Sequence, residues 1–347
     1  MNDTRTLRRE RFAPLTYALL TAGLLLAMIL CVCVGSVPIS LSDTVTAVWN
    51  ALWGLPIPQT IAKNIILNVR LPRVLCVALS GASLSLCGAA MQGLLRNPLA
   101  DGSTMGVSSG AALGAVIAMA AGFTLPGTGY GGVMVTAMAF AFGSLVLILS
   151  LAYALDHSLA THSIILIGVI FTMFISSIIS LVVTFASDHT RSLNFWTLGS
   201  FSGVNYDQAK LLALALALCG GVIMRYSHEL NAFAVGEDNA RNVGVDVRRV
   251  KLTVLITVSV LIGVCVSIGG TISFVGLVTP HMARMLAGPN HKRLLPASMF
   301  LGAVFLLLSD LAARTLLSPI ELSIGVVTSL VGAVAFVIIF RRTRKGG

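Results

Sequence analysis

Charge is what this chain has least of: 13 acidic and 23 basic residues among 347, so that only 10% of positions carry a charge while 56% are hydrophobic. That balance, with a mean hydropathy of +0.93, excludes an ordinary soluble domain and points to a polytopic membrane protein. Aromatic residues are also few, at 7%. No face interleaves basic and aromatic side chains, so the surplus of positive charge reflects membrane topology and not nucleic-acid binding. The six cysteines, Cys31, Cys33, Cys76, Cys87, Cys219 and Cys265, all fall inside apolar runs. They offer neither zinc spacing nor a disulfide framework and read as small packing residues. A G-x-x-x-x-G-K-[ST] pattern is missing, which excludes a P-loop ATPase in this chain. Finally, the apolar runs lack the series of buried acids or arginines that proton- and ion-coupled carriers use, so the energy source is expected elsewhere. Asp310 is the clearest exception, and Arg314 one helical turn later is its natural partner.

What the chain does have is a succession of apolar runs long enough to cross a bilayer core of about 30 Å, which takes roughly 20 residues. They predict ten helices near 15–37, 73–95, 104–122, 133–154, 163–185, 207–225, 251–269, 273–288, 295–313 and 323–340. The first follows Arg5, Arg8, Arg9 and Arg11 but is too long for an ordinary signal-peptide core, so a retained helix is expected. Residues 1–14 and 341–347 are then tails around a transmembrane unit at 15–340. An even count puts both termini on one side. Placing them in the cytoplasm leaves 17 of the 23 basic residues inside, the bias that the positive-inside rule demands. Small residues at four-residue spacing, Gly106, Gly110 and Gly114, and the stripe of Gly81, Ser85, Ala89 and Gly93, let helices approach closely.

Two features exceed what topology needs. Arg70, Arg73 and Arg314 lie on the side where basic residues are disfavoured. They either snorkel to headgroups or offer charge to a partner. Between the sixth and seventh helices, AVGEDNARNVGVDVRRVK at 234–251 is too long for a connector. It suggests a short helix holding Glu237 early, where the helix dipole favours an anion, and ending at Gly244.

RLPRVLCVALSGASLSLCGAAMQGLLRNPLA at 70–100, followed by GVSSGAALGAV, then GEDNARNVGV, ISFVGLVTPHMAR, KRLLPAS and ELSIGVVTSLVGA in order, resembles the FecCD family of permease subunits. These serve binding-protein-dependent ABC importers of iron-siderophores, haem and vitamin B12. The resemblance covers about 15–340 and implies the all-α, ten-helix type II permease fold in a bacterial cytoplasmic membrane. It also implies a second permease subunit, identical or a sister, two cytoplasmic ATPases that supply ATP-Mg, an extracytoplasmic substrate-binding protein and a ferric siderophore as cargo, with no cofactor and no catalysis in this chain. By the same resemblance Gly236, Glu237, Ala240, Arg241 and Gly244 belong to a coupling helix seated on the ATPase. Arg70, Arg73 and Arg314 would meet acids of the binding protein, and Pro72 would stiffen the start of its helix. Thr161 and His162, in DHSLATHS, would lie at the cytoplasmic gate, and His281 would make a local hydrogen bond. The chain departs from the family where Gly102 and Ser323 replace prolines, where Gly332, Ala333 and Val334 stand for a small-residue-plus-Pro pattern, and where Ser163 replaces a basic residue. Haem or cobalamin is the alternative cargo. A secondary transporter and a non-transporting receptor are the rival readings.

Overall fold

The computed structural model describes Phe12 and residues 14–35, 37, 39–55, 61–102, 105–123, 131–155, 161–186 and 190–345. The N-terminal tail with its four arginines and residues 156–160 before Thr161 lie outside the described residues. Within them the fold is helical throughout, and each of the ten expected helices is present. The long ones are α1 (Pro14–Cys33), α4 (Leu71–Leu94), α6 (Gly131–Leu155), α7 (Thr161–Phe185), α9 (Tyr206–Arg225), α12 (Val247–Gly269), α14 (His291–Thr315) and α15 (Ile324–Lys345). Two expected spans are short: α5 (Val107–Ala120) and α13 (Val275–Ala287). At 1.5 Å per residue they reach about 21 Å and about 20 Å, less than a bilayer core.

Helices that the apolar count did not anticipate fill the connections. α2 (Leu41–Leu52) is amphipathic, capped by Ser40, and exposes Trp49 just ahead of an equally exposed Trp53. A short α3 (Ile61–Asn64) continues through a π turn (Ile65–Arg70) directly into α4. α8 (Thr190–Thr197), α10 (Ser227–Val235) and α11 (Glu237–Asn242) complete the set.

Pro72 stands in the first turn of α4, as expected, but that helix runs on upstream through the π turn to Ile61, so Pro72 also lies within a longer helical stretch. Proline has no N–H and its ring collides with the carbonyl four residues back, so an uninterrupted α-helix is strained there. The π turn removes the collision by widening one turn. In that wider pattern Leu71 donates to the Ile66 carbonyl, and Pro72 leaves the next carbonyl, of Leu67, without a backbone donor. The Tyr206 hydroxyl takes that place at 2.6 Å. α13 repeats the logic: Pro280 cannot donate to the Gly276 carbonyl, and Gln92 Nε2 donates to it at 3.3 Å and to Leu277 O at 3.2 Å.

α4 is the hub, packed by α14, α13, α12 and α9 and buried along nearly its whole length. Close approach depends on missing side chains. A Cβ at Gly81 would strike the Gly302 carbonyl of α14, and one at Gly88 would strike the Gly276 carbonyl of α13. Helices in lipid associate through such close packing, because lipid is as apolar as their own faces. The boundary between α12 and α13 falls at residues 270–274, where Gly270 and Phe274 both have positive φ (70° and 68°).

Gly88→Ala is therefore expected to lower the melting temperature and the monodisperse yield in detergent sharply. Gly143→Ala on α6, where an added methyl meets nothing within 4 Å, is expected to leave both unchanged. Size-exclusion profiles and thermal melts of the two variants make the comparison.

Candidate functional site

The three arginines singled out from the sequence do meet, at one end of the bundle, but they are not free rim charges. Arg70 is 4% exposed and Arg73 and Arg314 are each 7% exposed. Burying a guanidinium requires partners, and these come from within the chain. Arg70 Nη1 donates to the carbonyls of Val32 (2.9 Å) and Cys33 (3.0 Å), and its Nη2 donates to Val37 O. Arg314 Nη2 donates to Cys31 O at 3.0 Å. The last carbonyls of a helix have no intrahelical donors and carry partial negative charge. Arg70 and Arg314 thus close the C-terminal end of α1.

Arg73 projects from the first turn of α4 onto α14. Its Nε and Nη2 donate to Asp310 Oδ1 at 3.0 and 2.8 Å, and Nη2 also reaches Glu321. On the other side of the same carboxylate, Arg314 Nε lies 3.0 Å from Oδ2. That contact is an ion pair of nearby charges and lacks the alignment of a hydrogen bond. Asp310, fully buried, is held between two guanidiniums and ties α4 to α14. The i,i+4 pairing with Arg314 was readable from the sequence. The contact with Arg73, 237 residues away, was not.

The opposite end gathers the other expected residues. α11 lies between two glycines that need their positive φ, Gly236 (139°) and Gly244 (88°). Its Ala240 is buried, while Asp238, Arg241 and Asn242 are exposed and Val243, just beyond, is 74% exposed. Glu237 turns inward. Its Oε1 lies 2.7 Å from Nζ of Lys251 and accepts a hydrogen bond from Thr161 Oγ1 at 3.0 Å. Lys251, expected where the loop meets the seventh helix, is a fully buried residue of α12. Thr161 is the first residue of α7, and His162 beside it is exposed. The Arg248 guanidinium stacks over Tyr153 at 5.3 Å, fastening the start of α12 to α6. His281 Nε2 donates to Pro98 O at 3.1 Å, the local bond expected of it.

Between the two ends is a cavity of about 370 Å³. Its walls are the irregular stretches before α5 (Asp101 and Gly102) and before α13 (Thr271 to Ser273), with Ser108 of α5 and Ser176 and Ser180 of α7. Gly276 on the same wall packs against Leu84 and Gly88, which sets the cavity beside the middle of α4. Non-helical backbone is tolerated at membrane depth where it is buried in protein or lines a cavity. Two shortened helices and one hydroxyl-rich cavity are thus one feature. Asp101 was missed because 96–103 reads as a polar connector between spans.

The profile of the FecCD transport family matches residues 23–342. The chain belongs to the FecCD transport family. An ABC transporter permease of Bacillus subtilis, YvrB, is 40% identical over 98% of this chain and 97% of its own length. The molybdate import permease MolB of Haemophilus influenzae is 32% identical over 94% of this chain and 96% of its own. Further relatives are named for cobalamin and for iron(3+)-hydroxamate import. A solved structure described as a metal-chelate type ABC transporter in an inward-facing conformation superposes with a TM-score of 0.83 at 30% identity, covering 95% of this chain and all of that one. This FecCD protein is a multi-pass permease subunit of an ABC importer in a bacterial membrane, with the type II permease fold.

Asp310→Asn leaves two buried guanidiniums with one charge fewer to balance them. Breaking a buried pair costs about 3–5 kcal/mol, so the variant is expected to melt well below the parent in detergent. Asp207→Asn, which removes only an exposed pair with Lys210, is expected to melt with the parent. Parallel thermal scans give the answer.

Proposed function

We propose that this FecCD permease carries a ferric siderophore inward by alternating access, driven by a separate pair of ABC ATPases that bind ATP-Mg. The observation that carries the cargo class is the near-complete superposition on a metal-chelate type transporter, at a TM-score of 0.83. The relative named for iron(3+)-hydroxamate import supports it. The relatives named for cobalamin and molybdate import make those two the competing cargoes.

In this reading the pathway runs between two permease subunits. α7 exposes Leu166, Ile170, Met173, Phe174 and Phe185, apolar surface that suits a second subunit and lipid. α11 is the coupling helix. Gly236, Glu237, Ala240 and Gly244 shape it from inside, and Asp238, Arg241 and Val243 form the face that meets the ATPase. Thr161 and His162 stand at the gate on that same end. The extracytoplasmic binding protein docks at the far end. There Arg70, Arg73 and Arg314 act by fixing the shape of the docking surface, since Arg73 and Arg314 are already paired with acids of the chain and Arg70 is spent on the carbonyls that end α1. Cargo selection resides in the binding protein, and a cavity walled by serines and threonines suits a bulky hydroxyl-bearing chelate that is passed on and not gripped.

Uptake of radiolabelled iron from a panel of siderophores, beside haem, cobalamin and molybdate, in cells with and without the gene tests this directly. Loss of one or a few ferric chelates is the expected result. Loss of cobalamin, haem or molybdate uptake instead would keep the importer and overturn the cargo.

A further inference from the structure

We propose that the Thr161–Glu237 hydrogen bond, backed by buried Lys251, is the mechanical link through which displacement of α11 moves α7 and with it one wall of the central cavity. The inference rests on reading α11 as the helix that meets the ATPase. It adds a positioning role for three side chains that the fold alone does not require.

A single carboxylate oxygen, Glu237 Oε1, joins three helices from separate parts of the chain: α11, which carries it, α12 through Lys251 and α7 through Thr161. The two contacts differ in strength. The ion pair joins the carboxylate to a lysine ammonium that is wholly shielded from solvent, and an ion pair with hydrogen-bonding contact is stronger than a bond from a neutral hydroxyl. Glu237 is therefore held more firmly by Lys251 than by Thr161. The bond from the neutral Thr161 hydroxyl is the weaker of the two and the one free to break and re-form.

The elements at the two sides also differ in how firmly they are held. α12 is largely buried, packs against α4, α5, α6 and α9, and is fastened to α6 by Arg248 on Tyr153. α7 packs against α5, α6 and the short α8, with much of its length exposed. Ser176, Ile179 and Ser180 of α7 face the cavity, and Thr161 is the first residue of the same helix. A helix is stiff along its axis, so a pull on Thr161 is felt four turns away at Ser176. The pivot is the Glu237–Lys251 pair, and the moving arm is α7.

The test separates the link from the cargo assignment. Nitroxide amino acids are placed at the exposed positions 162 and 241 of the full-length chain in detergent, and their distance distribution is read by pulsed electron paramagnetic resonance. The parent and Thr161→Ser, which keeps the hydroxyl, are expected to give one narrow distribution, and Thr161→Val a broad one. A Val variant as narrow as the parent, or a Ser variant as broad as Val, overturns the proposal. The second readout uses the complex with its ATPases in proteoliposomes and a ⁵⁵Fe-loaded hydroxamate siderophore as probe. Thr161→Val is expected to raise the ATP hydrolysed per iron moved several-fold, and an unchanged ratio overturns the link. If the parent moves no iron, the cargo reading fails while the distance measurement on the chain alone still decides the link.

Discussion

Backbone carbonyls that lose their helical donors inside a bilayer have no water to turn to, and much of this architecture is an answer to that constraint. The last turn of α1 is closed by two arginines from other helices. Pro72 and Pro280 each withdraw a donor from the helix that holds them, and Tyr206 and Gln92 supply replacements from neighbouring helices. Every such replacement is also a tether between elements. The places where the chain breaks its own helices are thus the places where helices are pinned together, with the charged cluster at one end as the strongest case. Arg73 and Arg314 do not stand in the low-dielectric interior as isolated cations, because Asp310 lies between them.

The two ends of the molecule use buried charge differently. At the arginine end, an acid with two basic partners and a second acid, Glu321, beside Arg73 brace α1, α4 and α14 into one unit. At the α11 end Glu237 meets buried Lys251 and one neutral hydroxyl, and the helix that carries the hydroxyl has much of its surface uncovered. The arginine end is thus braced and the α11 end more loosely held, the difference that the proposed roles of the two ends call for.

Much of this was legible in the sequence for physical reasons. Spans of about 20 apolar residues announce themselves one by one, since each must satisfy its own backbone. α11 was readable from glycines at both ends, and the Asp310–Arg314 pair from helical spacing. What stayed hidden depends on contacts far apart in the chain. Lys251 reads as one more cation of the inner face until the acid 14 residues earlier folds back onto it. Arg70 and Arg73 read as surface charge until the end of α1 is seen to need donors. α2 is amphipathic, so an apolar count passes over it, and Asp101 sits in a polar run that is a connector in sequence and a cavity wall in space.

The π turn ahead of α4 has one more consequence. A π turn is in effect a one-residue insertion, and an extra residue rotates everything upstream by about 100° around the axis. The glycine stripe of α4 keeps its phase against α13 and α14, whereas α3 and the π turn face a different sector, towards α2. The turn works as a phase shifter. It lets one continuous rod serve two packing partners whose directions a regular helix would not reconcile.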